Sequence, residues 1–76
     1  MSSIILCNTG ADSLSQVNLD NYDVKKILFD LSEKPIGAHG IIVSDDKIYT
    51  ANNYNDSVSI FDGINLREKE NIKIGP

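Results

Sequence analysis

Cysteine occurs once in these 76 residues, at Cys7, and that scarcity removes two common ways of stapling a small chain. No internal disulfide can form, and no cysteine-based zinc cluster can be built. Pairing between chains stays open, but Cys7 sits in an apolar run and reads as a small buried hydrophobe. Histidine also occurs once, at His39, which is too few for a histidine-built metal site. Basic residues are the minority, 7 Lys and Arg against 11 Asp and Glu, for a net charge of -4. That balance argues against a nucleic-acid surface and favours solubility. No apolar run approaches the ~20 residues of a membrane span. The stretch from Met1 to Cys7 has no basic residue and a short apolar core, so it makes a poor signal peptide. With neither export nor disulfide signals, the chain reads as cytoplasmic. A domain of this length without staples is marginal on its own.

What is present is a series of short runs rich in β-branched and aromatic residues, punctuated by turn formers. Ile41-Ile42-Val43 is followed by Ser44-Asp45-Asp46, Ile48-Tyr49-Thr50-Ala51 by Asn52 to Asp56, and Val58-Ser59-Ile60-Phe61 by Asp62-Gly63. This pattern predicts an antiparallel meander. Upstream, Ile4 to Cys7 runs into the turn cluster Asn8 to Asp12, and Ser13 to Leu19 alternates. Only Val24 to Leu31 is ambiguous: Val24, Ile27, Leu28 and Leu31 fall at helical spacing, and eight residues decide little between helix and strand.

An internal self-similarity tips that balance. Shifted by 44 positions, Ile4 falls on Ile48, Asn8 on Asn52, and Asp12-Ser13-Leu14-Ser15 on Asp56-Ser57-Val58-Ser59. Val17 falls on Phe61 and Asn21 on Asn65. A period near 44 with several strands per unit is the mark of propeller blades. Ile74-Gly75-Pro76 matches Ile36-Gly37-Ala38. Asn8 to Ile36 is 28 positions and Asn52 to Ile74 is 22, so the first copy is six residues longer, around Asp30 to Lys34. On this reading Val24 to Phe29 is an outer strand and Leu31 to Pro35 a crossing, and Pro35 disfavours a helix running up to it.

His39-Gly40-Ile41-Ile42-Val43-Ser44-Asp45-Asp46-Lys47-Ile48-Tyr49-Thr50-Ala51-Asn52-Asn53 resembles the YVTN-type β-propeller repeat. Tyr49-Thr50-Ala51-Asn52 stands for the name motif and Asn55 to Asp62 for the following strand, while Ala38 replaces the usual proline. The first copy matches only from Asn8 to Asn18, with Ile5-Leu6-Cys7-Asn8 as a weaker name motif. The resemblance implies an all-β fold of antiparallel four-stranded blades, about two of a seven-bladed propeller. Residues 1–35 would form an incomplete first blade with strands Ser3 to Asn8, Ser13 to Leu19 and Val24 to Phe29. Residues 36–76 would form a complete one with strands Gly40 to Ser44, Lys47 to Asn52, Ser57 to Asp62 and Glu68 to Ile74. Two blades cannot cover their own faces. The expected partners are therefore the remaining blades of a longer chain or further copies of this one, with neither nucleic acid nor membrane as a partner.

Candidate chemistry is sparse. In the turn Gly37 to Gly40, His39 is the weak metal candidate, because related propellers place copper-binding histidines nearby; junction packing is the plainer reading. Asp12, Asp45, Asp46 and Asp56 lie in turns, where aspartate bonds its own backbone. Ser13, Ser15, Ser57 and Ser59 have no base beside them in sequence, so no catalytic residue is assigned. Lys25-Lys26 and Arg67 to Lys73 read as solvated outer-strand charges, and Tyr49 as packed beside the core. Val58 and Phe61 are both expected in a sheet interface. Tyr54, with Asn53 and Asn55, forms a loop-tip candidate for binding a partner. The function expected is a non-catalytic binding or scaffolding segment without a cofactor. The alternative is a fragment of a lactone-hydrolysing or metal- or quinone-linked propeller enzyme, with its catalytic residues mostly elsewhere.

Overall fold

Among the described residues, seven strands build two separate antiparallel sheets. In the first, β1 (Ser3–Asn8), β2 (Ser13–Asn18) and β3 (Val24–Leu28) lie in the order β1-β2-β3. In the second, β4 (Ala38–Ser44), β5 (Lys47–Asn52), β6 (Ser57–Asp62) and β7 (Arg67–Lys73) lie in the order β4-β5-β6-β7. The computed structural model describes residues 2–75. Met1 of the leader reading and Pro76 of the expected junction lie outside them. Among the described residues there is no α-helix, only a 3-10 turn at Thr9–Ala11. None is long and apolar enough to cross a membrane.

The ambiguous Val24 stretch is a strand. It pairs with β2 from Ser13↔Leu28 to Val17↔Val24. Of the four residues at helical spacing only Ile27 is buried; Val24, Leu28 and Leu31 are exposed. Two-residue alternation instead carries Ile27 and Phe29 into the core. Strand ends differ by a residue or two from those expected. The largest difference is β4, which starts at Ala38 rather than Gly40 and carries a bulge between Ala38 and Gly40. That bulge leaves His39 as the extra residue.

The sheets pack face to face around Leu14, Ile27, Phe29, Ile36, Ala38, Ile48 and Phe61, with Ile5, Cys7, Ile41 and Leu66 against them. Phe29 and Phe61 meet edge to face, with centroids 5.0 Å apart and planes at 80°. From the first sheet comes the rung Cys7–Leu14–Ile27. From the second come Ile48 and its cross-strand partner Phe61. Burial alternates along β5 and β6, so Ile48, Thr50, Asn52, Ser57, Ser59 and Phe61 face inward. Tyr49 and Val58 therefore lie on the outer side, each half-buried. The expectation that Tyr49 packs beside the core, and that Val58 shares the inner interface with Phe61, does not hold: strand alternation sends them the other way.

Positions 44 apart share backbone geometry. β1 and β5 cover Ser3 to Asn8 and Lys47 to Asn52, and β2 and β6 cover Ser13 to Asn18 and Ser57 to Asp62. The register Asn8↔Ser13 recurs as Asn52↔Ser57. Asp12 and Asp56 both take φ 52, and Tyr22 (φ 64) answers Leu66 (φ 58). Gly37 (φ 62) is matched by Gly75 (φ 81) at the shorter spacing noted above. Left-handed conformations are uncommon outside glycine, so their occurrence at paired positions is a specific likeness between the two sheets.

Candidate functional site

The loop after β5 is the most connected irregular segment of the second sheet, and its connections run to the crossing between the sheets. The Asn53 N–H donates to the Gly37 carbonyl (3.0 Å) and the Tyr54 N–H to the Ile36 carbonyl (3.2 Å). The Asn55 amide donates to the Glu33 carbonyl at 2.8 Å, and its oxygen accepts the Ser57 hydroxyl at 2.5 Å. Lys73 reaches the Asn55 carbonyl (3.3 Å) and pairs with Glu33 (3.6 Å). The Tyr54 ring lies over Gly37, where a Cβ would meet its Cγ at 2.5 Å. From the first sheet, an Asp12 carboxylate oxygen accepts the N–H groups of Ile36 (3.0 Å) and Gly37 (3.3 Å). The Thr9 hydroxyl donates to the Ala38 carbonyl at 2.8 Å. Asn53, Tyr54 and Asn55 are thus brought together as a clamp on residues 33–37, while the Tyr54 side chain stays 68 % exposed.

His39 is exposed on the edge strand β4. Among the described residues no group of three or more His, Cys, Asp and Glu side chains could hold a metal ion. The four serines that might attract a nucleophile reading are occupied. Ser13 and Ser15 accept from the Asn8 amide (3.2 and 2.7 Å), and Ser57 and Ser59 from the Asn52 amide (3.0 and 2.8 Å). Cys7 is half-buried, and burial pushes its thiol pKa up.

One constellation escaped sequence reasoning. Glu68, which reads in the sequence as a solvated outer-strand charge, is 5 % exposed. Its carboxylate accepts the Leu31 N–H at 2.6 Å and the Ser32 hydroxyl. Ser32 also meets Ser59 at 3.0 Å, and the Asn71 amide donates to Ser32, Ser57 and Ser59 at 2.9, 2.8 and 3.3 Å. Thr50 completes the chain by donating to Asn52 at 2.9 Å. Every buried side-chain polar atom of the described residues has a partner. A network with its buried members satisfied fixes the position of the crossing against β6 and β7. The one signal available in sequence was that Glu68 alternates with the outward Arg67 and Lys69.

On the outer side of the second sheet a shallow apolar groove of about 400 Å³ is lined by Gly40, Ile42, Tyr49, Ala51 and Val58. Compared with family models, with curated proteins and with solved structures, the chain finds no match in any of the three.

Proposed function

We propose that this chain supplies two neighbouring blades of a YVTN-type β-propeller and acts as a non-catalytic binding or scaffolding segment. The observation that carries this reading is the shared template: strand spans, register, left-handed positions and the Asn-Ser-Ser side-chain bonds recur at 44 residues. Stacked units of this kind gain stability from each neighbour. Rigid sheets with loops at their rims hold partners without chemistry of their own. The Asn53–Asn55 loop, with Tyr54 exposed at its tip, is the surface offered at that rim.

The test is a tandem series. Because Gly75 repeats the backbone turn of Gly37, copies of residues 38–75 can be appended directly after Gly75. One, two and three added blades should each raise the urea midpoint. A midpoint that stays put would sink the blade reading. In parallel, the native chain should leave lactone and activated-ester substrates unhydrolysed; turnover abolished by His39→Ala would favour the enzyme fragment instead.

A further inference from the structure

The two sheets meet through unlike faces. The first contributes the side carrying Ile5, Cys7, Leu14 and Ile27, and the second the side carrying Ile48, Thr50, Ser59 and Phe61. Shifted back by 44, the second set becomes Ile4, Leu6, Ser15 and Val17, on the outer side of the first sheet. Shifted forward, Ile5, Cys7 and Leu14 become Tyr49, Ala51 and Val58, on the outer side of the second sheet. Ile72 pairs with Val58 there as Ile27 pairs with Leu14. The molecule therefore ends, on each side, in one of the two faces that its middle joins. Exposure records the difference: Ile4 is 44 % exposed against 2 % for Ile48, and Ile72 45 % against 1 % for Ile27.

The outer faces are prepared for the same packing. The Asn8 amide already donates to Ser13 and Ser15 as the buried Asn52 amide donates to Ser57 and Ser59, so covering this face leaves those amide N–H groups with their acceptors. Lys26, paired with Ser15, and Glu70, paired with Ile60, put opposite charges on the two faces. Building on the reading of the sheets as like units, we propose that a second copy of this chain docks its outer first-sheet face (Ile4, Leu6, Val17) on the outer second-sheet face (Ile42, Tyr49, Val58) of the first. The contact is heterologous, so copies add head to tail and either close into a ring or continue as a stack.

Sedimentation velocity of the full chain over a wide concentration range tests this. The native chain should associate as concentration rises. Ile42→Lys/Ile72→Lys blocks one face, and Ile4→Lys/Leu6→Lys the other; each should sediment as a folded monomer. Mixed in equal amounts, they should form a complex of two 8.4 kDa chains and nothing larger, because each retains the face its partner lacks. A native chain that stays a folded monomer throughout overturns the proposal. So do variants that ignore each other when mixed, or a variant that still associates with itself. If circular dichroism shows either double variant unfolded, Ile42→Lys and Leu28→Lys, at 66 % and 55 % exposed positions, take their place with the same expected outcomes. The tandem series remains a separate test, since blades joined in one chain can gain stability even where separate chains never meet.

Discussion

Phe61 is the residue on which the sheet-to-sheet packing leans most. Its side chain is fully buried, and its ring meets the edge or face of Phe29 at 5.0 Å. Phe61→Ala removes a large apolar volume from a contact that two rigid sheets cannot readily close. Such truncations cost about 3–5 kcal/mol. The aromatic pair accounts for ~0.5–1.5 kcal/mol of that. Native domains hold roughly 0.05–0.15 kcal/mol per residue, hence on the order of 4–11 kcal/mol for a chain of this length. The substitution should therefore remove about a quarter of the stability at the least, and nearly all of it or more at the lower end. Val58→Ala is the control. Val58 lies three residues away on the same strand but half-buried on the outer side, so about 1 kcal/mol or less is expected.

Urea unfolding followed by circular dichroism, at one low protein concentration so that association does not shift the midpoint, reads both changes. The expected result is a large fall in midpoint for Phe61→Ala and a small one for Val58→Ala. A double-mutant cycle with Phe29→Ala should return a coupling of about 1 kcal/mol. Equal losses for Phe61→Ala and Val58→Ala would refute the assignment of inner and outer faces, whatever their size.

Five further substitutions probe the crossing, the buried network and the turns. Gly37→Ala places a Cβ 2.5 Å from the Tyr54 ring at a left-handed position, and should lower stability by more than the ~1–2 kcal/mol of backbone strain alone; Gly75→Ala, with φ 81 but open space around it, should cost only the strain, and thermal melts separate the two. Glu68→Ala leaves the Leu31 N–H and the Ser32 hydroxyl without their acceptor and should cost ~1–3 kcal/mol, while Glu68→Gln, which keeps one carbonyl oxygen, should cost less; urea midpoints of the pair decide whether Glu68 acts as an acceptor or merely fills space. Asp62 is held below the usual carboxylate range by the Ile64 N–H first and the Asn65 N–H second, so its contribution is present above the unfolded-state pKa and lost as pH falls through the folded one. Asn18, 44 residues earlier, accepts the Asp20 N–H at 2.8 Å through an amide oxygen, so Asp62→Asn should keep the turn, and its melting temperature should depend less on acid than the native chain's.

The strand series was legible because two local signals agree. β-branched runs of strand length alternate with Asp, Asn and Gly at the points where the backbone turns left-handed, as at Asp12, Asp45 and Asp56. Which face points inward was not legible. Ile48 stands beside Tyr49 and Ile60 beside Phe61, so both sides of β5 and β6 carry apolar groups and alternation alone cannot choose. The burial of Glu68 was hidden for a different reason. Its partners, Leu31 and Ser32, lie 37 and 36 positions away and reach it only because the crossing folds across β6 and β7. The clamp role of Asn53 and Tyr54 was hidden too, since it runs through backbone N–H groups to the carbonyls of Gly37 and Ile36, which side-chain patterns do not encode.

The polar stretch between the sheets bears on why the packing is unique. An interface of apolar residues alone would tolerate sliding, because neighbouring registers bury similar area. Here Asn52 holds Ser57 and Ser59, Asn71 reaches the same two serines, and Ser32 joins them to Glu68. A shift of one residue would turn these groups outward and take the Glu68 carboxylate away from the Leu31 N–H. The small serines also leave room for the crossing to approach the sheet. On the outer face of the first sheet the same trio, Asn8 with Ser13 and Ser15, sits among Ile4 and Leu6. On that face the Asn8 amide N–H groups keep these acceptors whether or not water covers it. When covered, its Asn-Ser-Ser bonds would stay within the sheet and hold β1 against β2, as those of Asn52 hold β5 against β6 at the centre of the molecule.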